Sequence, residues 1–261
     1  MGPLNGVGLA IALGALVAAG CRTPEASAGG VEVPAAIDHA DWDRLLRTYV
    51  NERGLVAYGQ WKASPEDRRA LAGYLERLGA VPRTAAIGAD RSSTLINAYN
   101  AFTVSWVLEN YPTRSIRSTD DPFEGRRHRL GGRVVSLDDI EHGALRKIVL
   151  YRVHAALVCA ARSCPPLARE AYRPAMLDAQ LDGAMARWLA RNDLNAFFPD
   201  GGADVSMIFR WYREDFDAAG GVRAVVQRHG GEPARRALAA EGAHIGHLDY
   251  DWTLNDQESR P

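Results

Sequence analysis

The sequence predicts an α+β fold, in which one mostly helical domain carries a few short strands. Two observations support this class: several long segments place apolar residues at helical spacing, and a few short, β-like segments are scattered between them. The chain has 261 residues, of which 47% are hydrophobic and 24% charged. This is an ordinary globular composition that can bury one sizeable core.

The charge pattern excludes some partners. The net charge is −1, so no overall field attracts nucleic acid or an anionic membrane surface. The arginine-rich segment from Arg114 to Arg133 is interrupted by Asp120, Asp121 and Glu124, which favours a solvated loop over an anion site. No basic patch is interleaved with aromatic residues, and we therefore expect no nucleic-acid partner.

The first residues predict an export signal. Residues 1–20 are apolar, small and uncharged, and small residues stand directly before Cys21, as in a bacterial lipoprotein signal. Cys21 would then carry the lipid that anchors the protein to the membrane of the cell envelope, on the periplasmic side. No Lys or Arg precedes the apolar segment, so a misassigned start codon or an uncut membrane anchor are alternatives. Residues 21–36 predict a flexible tether, and residues 37–261 a single domain without repeats.

The first part of the domain predicts three helices. Apolar residues of one helical face lie within 41–50, and Ser64-Pro65 begins a second helix that extends to about Leu78. The segment 55–61 is β-like. Residues 95–110 are apolar on almost every side, which is typical of a central helix. Asn97 and Asn100 share one side of it, where they either satisfy the core or present amides to a site.

Shorter elements follow the central helix. Gly131-Gly132 and residues 133–135 predict a turn and a strand, and Ser136 caps a helix that extends to Val149. The remaining predicted elements are helices at 174–190 and 222–240 and strands at 205–209 and 244–250. The aromatic and acidic segment 250–255 is expected to close over the core.

The predicted helix from Ser136 places a carboxylate among apolar residues. At about 100° per residue, Glu141 falls on the broad apolar face of that helix. Asp138, His142 and Arg146 follow one another at intervals of four on the neighbouring side. A buried carboxylate must find a partner or take up a proton, so Glu141 is either half of a structural ion pair or a catalytic group.

A histidine and two cysteines follow at regular intervals. His154, Cys159 and Cys164 are each five residues apart, and Pro165-Pro166 comes next. In an exported protein, two such cysteines can form a disulfide that staples a loop or acts as a redox switch. Alternatively, Cys159 is a nucleophile that His154 or His142 activates, with Glu141 or Asn100 orienting the imidazole. A zinc site with His142, His154, Cys159 and Cys164 as ligands is a third hypothesis, although the spacing is not the usual one.

Several motifs in this order resemble the DUF547 family, whose function is unknown. They are Ile96-Asn97-Ala98-Tyr99-Asn100-Ala101, Ser136 to His142 with Leu145-Arg146, His154-Ala155-Ala156-Leu157 leading to Cys159, Ser163-Cys164-Pro165-Pro166-Leu167, Ser206 to Tyr212 with Asp215-Phe216, and Tyr250-Asp251-Trp252. Together they span about Trp42 to Asn255. The resemblance implies that bacterial members are often exported, but it implies no activity.

We expect a non-catalytic lipoprotein, a binding or scaffolding module with a polar His/Glu/Cys cluster. The alternatives are a thiol-dependent hydrolase or acyl transferase with a Cys-His centre, and a zinc-binding protein. No cofactor and no metal ligand is assigned, and the only partner inferred is the membrane. The candidate catalytic residues are Cys159, His154, His142, Glu141 and Asn100, and the candidate binding residues are Asn97, Arg146, Ser163 and Cys164.

Overall fold

The computed structural model describes residues 1–2 and 31–258, and it confirms the predicted α+β fold. The described residues form eleven α-helices and five short strands. The predicted signal segment after Gly2, the lipidation residue Cys21 and the tether before residue 31 lie outside the described part. Within it, no helix has the length and apolar character needed to traverse a bilayer.

A long buried helix is the centre of the first half of the domain. The helices of this half are α1 (Ala40–Tyr49), α2 (Tyr58–Ala63), α3 (Pro65–Gly79) and α4 (Gly88–Asn110). Most of α4 between Ser92 and Leu108 is buried, and α2, α3 and the next helix in the chain all pack against it. The prediction of a central helix is therefore confirmed, and the helix begins earlier than its apolar segment.

The start of α3 follows its sequence signals, whereas the segment before it does not. The hydroxyl of Ser64 accepts a hydrogen bond from the backbone N–H of Asp67, and Pro65 occupies the first turn. The β-like prediction for 55–61 is wrong beyond Val56, which forms isolated bridges. Tyr58 and Trp61, three residues apart, both become buried on one face of α2, so core packing decides in favour of a helix.

The predicted turn and strand before Ser136 are confirmed as a small hairpin. Strands β1 (His128–Leu130) and β2 (Arg133–Val135) pair antiparallel around Gly131 and Gly132, whose φ angles are 56° and 79°. Ser136 and Asp139 form a capping box, with the Asp139 N–H donating to the Ser136 hydroxyl at 3.0 Å. The cap starts α5 (Leu137–Ile140).

The helix that begins at Ser136 is not a regular α-helix up to Val149. After α5 it widens into a π-helical turn over Glu141–Leu145, and it ends with the single turn α6 (Arg146–Ile148) and a 3-10 segment, Leu150–Ala155. Turns of the π type are rare and are found mostly within helices near functional sites. Because the helix widens here, the angular positions of Glu141 and His142 around its axis differ from those predicted for an ideal α-helix.

The second half of the domain has its own apolar cluster around Trp188, Phe209 and Phe216. The strand predicted at 205–209 ends at Val205, because the Ser206 hydroxyl accepts a hydrogen bond from the Ile208 N–H and a helix begins there. The elements of this half are α7 (Leu177–Leu189), β3 (Ala196–Phe197), β4 (Ala203–Val205), α8 (Ile208–Trp211), α9 (Arg213–Asp217), α10 (Gly221–His229), α11 (Glu232–Ala237) and β5 (Ile245–His247). Strand β4 pairs antiparallel with β3 and parallel with β5.

The C-terminal segment closes over the core, as predicted. Leu254 is completely buried and forms a bridge with Ala161, while the backbone N–H of Asn255 donates to the carbonyl of Ala160 at 2.9 Å. The carbonyl of Asn255 in turn accepts from Val56. This segment therefore ties the loop that contains the two cysteines to the first half of the domain.

Candidate functional site

A cavity of about 280 Å³ lies where the π-helical turn, the 3-10 segment, α8 and the C-terminal segment meet. Four of the predicted site residues line it, namely Glu141, His154, Cys159 and Cys164. A wider groove of about 700 Å³ lies between α3, α4 and β1, but none of the predicted site residues lines that groove. The aromatic residues around the smaller cavity are Tyr99, Phe123, Trp211, Tyr212, Tyr250 and Trp252.

Glu141 is the buried carboxylate of this cavity. Its exposed fraction is only 6%. Burial raises the pKa of Glu141, while the nearby phenol groups of Tyr212 and Tyr99 and the imidazole of His142 act in the opposite direction. No basic side chain forms a salt bridge with Glu141 among the described residues. The carboxylate therefore has no cationic partner in direct contact among the described residues.

His154 is held by a carboxylate from a distant helix. Its Nε2 lies 2.7 Å from Oδ2 of Asp215, and its ring stacks on Tyr212 with the centroids 3.9 Å apart. Burial lowers the pKa of His154 to about 4, although the hydrogen bond with Asp215 acts to raise it. The imidazole is therefore neutral near pH 7. In that state Nε2 carries the proton and donates to Asp215, which leaves the lone pair on Nδ1.

Asp215 is fixed by Arg146 as well as by His154. Arg146 donates to both carboxylate oxygens, from Nε to Oδ2 at 2.7 Å and from Nη2 to Oδ1 at 2.9 Å. Partial burial acts against ionisation of Asp215, but the bonds from Arg146 and His154 outweigh it and lower its pKa. The Arg146 guanidinium also lies 5.1 Å from the centroid of Tyr212. Arg146 thus supports the site from behind His154 and Tyr212, outside the cavity lining.

His142 lies at the margin of this cluster. Its Nδ1 is 3.0 Å from Nη1 of Arg146, and its Nε2 is 3.8 Å from a carboxylate oxygen of Asp138. The side chain is 43% exposed, and it is absent from the cavity lining, whereas Asp138 belongs to it. His142 is therefore placed to interact with the supporting Arg146 and not with a molecule inside the cavity.

Cys159 and Cys164 form a disulfide, so this prediction is confirmed. The Tyr250 hydroxyl lies 3.3 Å from each of the two sulfur atoms, and Cys159 is the less buried of the two cysteines. In this state neither sulfur is a nucleophile. The zinc hypothesis also loses both of its thiolate ligands, and no group of three or more His, Cys, Asp or Glu side chains in the described residues could hold a metal ion.

The two asparagines of α4 bind backbone instead of lining the cavity. Asn97 donates to the carbonyl of Tyr172 at 2.8 Å and accepts from its N–H at 2.9 Å. Asn100 makes the same pair of bonds to the Ala156 carbonyl, at 2.9 Å, and the Val158 N–H, at 3.0 Å. Both amides therefore fasten the loop around the disulfide to the central helix.

Ser163 has a similar fastening role. Its hydroxyl accepts a hydrogen bond from the backbone N–H of Asp251 at 2.8 Å, and it lies outside the cavity lining. This bond holds the C-terminal segment beside the disulfide loop. Asp251 stands between Tyr250 and Trp252, so Ser163 helps to position two aromatic walls of the cavity.

Two features of the site are missing from the candidate catalytic and binding residues, although the motifs that resemble the family contain them. Asp215 is the first, and only the structure shows that it is the partner of His154, since 61 residues separate them in the chain. The aromatic walls are the second. Trp211-Tyr212 and Tyr250-Asp251-Trp252 stand out as aromatic pairs in the sequence, and this clustering is the signal that could have found them.

The fold and the site define an α+β domain with a small, aromatic-walled cavity that contains a buried carboxylate, a neutral histidine and a disulfide. Residues 88–189 match the model of the family described as "Protein of unknown function, DUF547". The match contains Glu141, His154 and both cysteines. Trp211, Tyr212, Asp215, Tyr250 and Trp252 lie beyond it. No curated protein and no solved structure matched the chain.

Proposed function

We propose that this protein is a binding module whose aromatic cavity takes a small ligand. The observation that carries the proposal is the cavity itself, about 280 Å³ in volume and walled by six aromatic side chains around the single buried carboxylate of Glu141. Small-molecule sites are concave and mostly apolar, with a few polar groups that orient the ligand, and this volume suits a compact ligand. The disulfide supports binding over thiol chemistry, because it occupies both sulfur atoms.

A fragment screen of the full chain by ligand-observed NMR tests this function. Trp211 lines the cavity and is 46% exposed, so Trp211→Ala should weaken binding of the hits with little effect on folding. Met176→Ala is the matched control, since Met176 is 53% exposed and lies outside the cavity. A set of hits that all bind equally well to both variants would contradict the proposal, as would a complete absence of hits.

The proposed location is the cell envelope, with a lipid on Cys21 as the membrane anchor. The apolar segment before Cys21 supports this, and so does the disulfide, because such bonds persist mainly in oxidising compartments outside the cytoplasm. Mass spectrometry of the protein extracted from membranes should show a chain that begins at Cys21 with a diacylglyceryl group. Cys21→Ala should abolish that modification, and an unmodified N-terminus in both proteins would refute the anchor.

One observation favours a second candidate function, a thiol-dependent hydrolase or acyl transferase. The paired His154 and Asp215 resemble the histidine and acid of a nucleophilic triad, and Cys159 lines the same cavity. After reduction, the Cys159 thiol would pass its proton to His154 and attack an acyl carbon, and the leaving group would then take that proton. Labelling by iodoacetamide distinguishes the two functions. The second function requires that, after mild reduction, Cys159 is labelled faster in the folded protein than in the denatured protein. In His154→Gln the two labelling rates should be similar.

A further inference from the structure

We infer that the ligand of this cavity is a small organic cation, an alkylamine or a quaternary ammonium compound. The inference rests on the proposed binding function and adds the chemical class of the ligand. The charges of the cavity wall are its first support. The described lining residues include three carboxylates, Glu124, Asp138 and Glu141, and no Lys or Arg. Among the described lining residues, the one basic side chain is His154, which is buried beside Asp215.

The aromatic walls give a second, independent support. Trp211 lies 4.6 Å from Tyr250 and 5.9 Å from Trp252, and Tyr250 and Trp252 lie 4.7 Å apart, with a 52° angle between their planes. Rings that meet at such angles form the corner of a cage, and ring faces attract cations electrostatically. Tryptophan is the best of the aromatic residues for this interaction, and two of the three rings in this corner are tryptophans.

Two cationic groups of the protein contact these aromatic walls from outside the cavity lining. Arg117 stacks over Trp252 at 4.8 Å, and Arg146 over Tyr212 at 5.1 Å. Arg146 is neutralised by its two bonds to Asp215. Neither guanidinium belongs to the cavity lining, so the three carboxylates of the wall still give it an excess of negative charge.

Glu141 explains why a cation is favoured over a neutral polar ligand such as a sugar. A carboxylate with 6% exposure is costly to keep ionised unless a positive charge lies close to it, and no basic side chain of the described residues forms a salt bridge with Glu141. A bound ammonium group supplies the missing charge. A sugar would need several hydrogen-bonding groups from the wall, yet the lining residues other than the three carboxylates are mostly aromatic or aliphatic.

Isothermal titration of the full chain with cations and their uncharged isosteres tests the inference. The probes are choline and n-butylammonium, compared at equal ionic strength with 3,3-dimethylbutan-1-ol and butan-1-ol, and with N-acetylglucosamine as the neutral sugar. We expect at least one cation to bind about tenfold more tightly than its isostere, because a desolvated cation–π contact and a charge pair act together. Equal affinity within each pair, or preference for the sugar, would overturn the inference.

Variants separate this inference from the binding function on which it rests. Glu141→Gln should weaken binding of the cation about tenfold and leave binding of its isostere nearly unchanged, whereas Trp211→Ala should weaken both. Glu109→Gln is the charge-matched control, because Glu109 is exposed on α4 away from the cavity. If neutral fragments bind in a manner that requires Trp211 while no cation is preferred, the binding function stands and the cation inference fails. If Glu141→Gln does not fold, the isostere comparison and Trp211→Ala still decide the question.

Discussion

His154 and Asp215 are 61 residues apart in the chain, and their side chains meet at 2.7 Å. His154 comes from the 3-10 segment after the π-helical turn, and Asp215 comes from α9. The contact lies where the two apolar clusters meet, because the His154 ring stacks on Tyr212 and lies 5.4 Å from Phe216 of the second cluster, while the preceding residue, Val153, belongs to the first. The cavity is built around this junction, so its shape depends on both halves of the domain.

Loss of the Asp215 carboxylate should destabilise the protein. In Asp215→Asn, the hydrogen bonds from Arg146 and His154 lose their charged acceptor, and we expect a loss of about 2 kcal/mol in the free energy of unfolding. Asp217→Asn on the same helix is the control, because Asp217 pairs with Arg213 at the surface and such pairs contribute roughly 0.5 kcal/mol or less. Urea unfolding measures both losses in the free energy of unfolding. Similar values would show that the contacts of Asp215 stabilise the protein no more than a surface ion pair does.

Reduction of the disulfide should lower the thermal stability. The bond between Cys159 and Cys164 closes a short loop with a sequence separation of 5, and the chain-entropy relation gives about 2 kcal/mol for a loop of this length. Calorimetry with and without a phosphine reductant should therefore show a lower Tm after reduction. In Cys159→Ser/Cys164→Ser the reductant should have no effect. A wild-type Tm that does not respond to reductant would rule out a structural role for the bond.

His128 should make the protein less stable in mild acid. Burial against Phe102 lowers the pKa of His128 from 6.5 to about 4, and its Nε2 is buried without a hydrogen-bond partner. The unfolded chain therefore binds a proton below pH 6.5 that the folded protein does not accept until about pH 4, so stability falls as the pH falls through this window. In His128→Phe this loss is absent. The free energy of unfolding of His128→Phe minus that of the wild type should therefore be about 1 kcal/mol larger at pH 5.5 than at pH 7.5.

The control for this pH effect is an exposed histidine. The side chain of His244 is 76% exposed, so His244→Phe measures what the same substitution does at the surface of the protein. Urea unfolding at several pH values measures all three proteins. Parallel curves for His128→Phe and wild type would contradict the prediction.

The asparagines of α4 should prove to be structural. Asn97→Ala removes two hydrogen bonds and leaves the buried N–H and C=O of Tyr172 without partners, at an expected cost of about 2 to 4 kcal/mol. Asn110→Ala at the end of the same helix is the matched control. Asn110 is only partly buried and donates a single bond to the Trp106 carbonyl, so about 1 kcal/mol or less is expected. Chemical denaturation measures both variants, and equal losses in the free energy of unfolding would contradict the structural role of Asn97.

Local signals in the sequence predicted the elements that depend on neighbouring residues. Ser64 and Ser136 begin helices because their hydroxyls reach backbone N–H groups three residues ahead, and Gly131-Gly132 supply the positive φ angles of the hairpin. The central helix was predictable because an apolar segment as long as 95–110 can be satisfied only in the core. The segment 55–61 was mispredicted because its β-like residues pack against α1 as a helix, with Trp61 stacked 4.7 Å from Tyr49.

By itself, the sequence determined the α+β class, the family resemblance and the burial of Glu141, because these follow from helical spacing, capping residues and local motifs. The Cys159–Cys164 bond was one of its open alternatives, and the tertiary structure decided between them. The structure also decided the partners. Asp215 reaches His154, and Trp211 meets Tyr250, only after α8, α9 and the C-terminal segment have docked on the π-helical turn. Spacing along a chain carries no information about such contacts, since they depend on how separate elements pack.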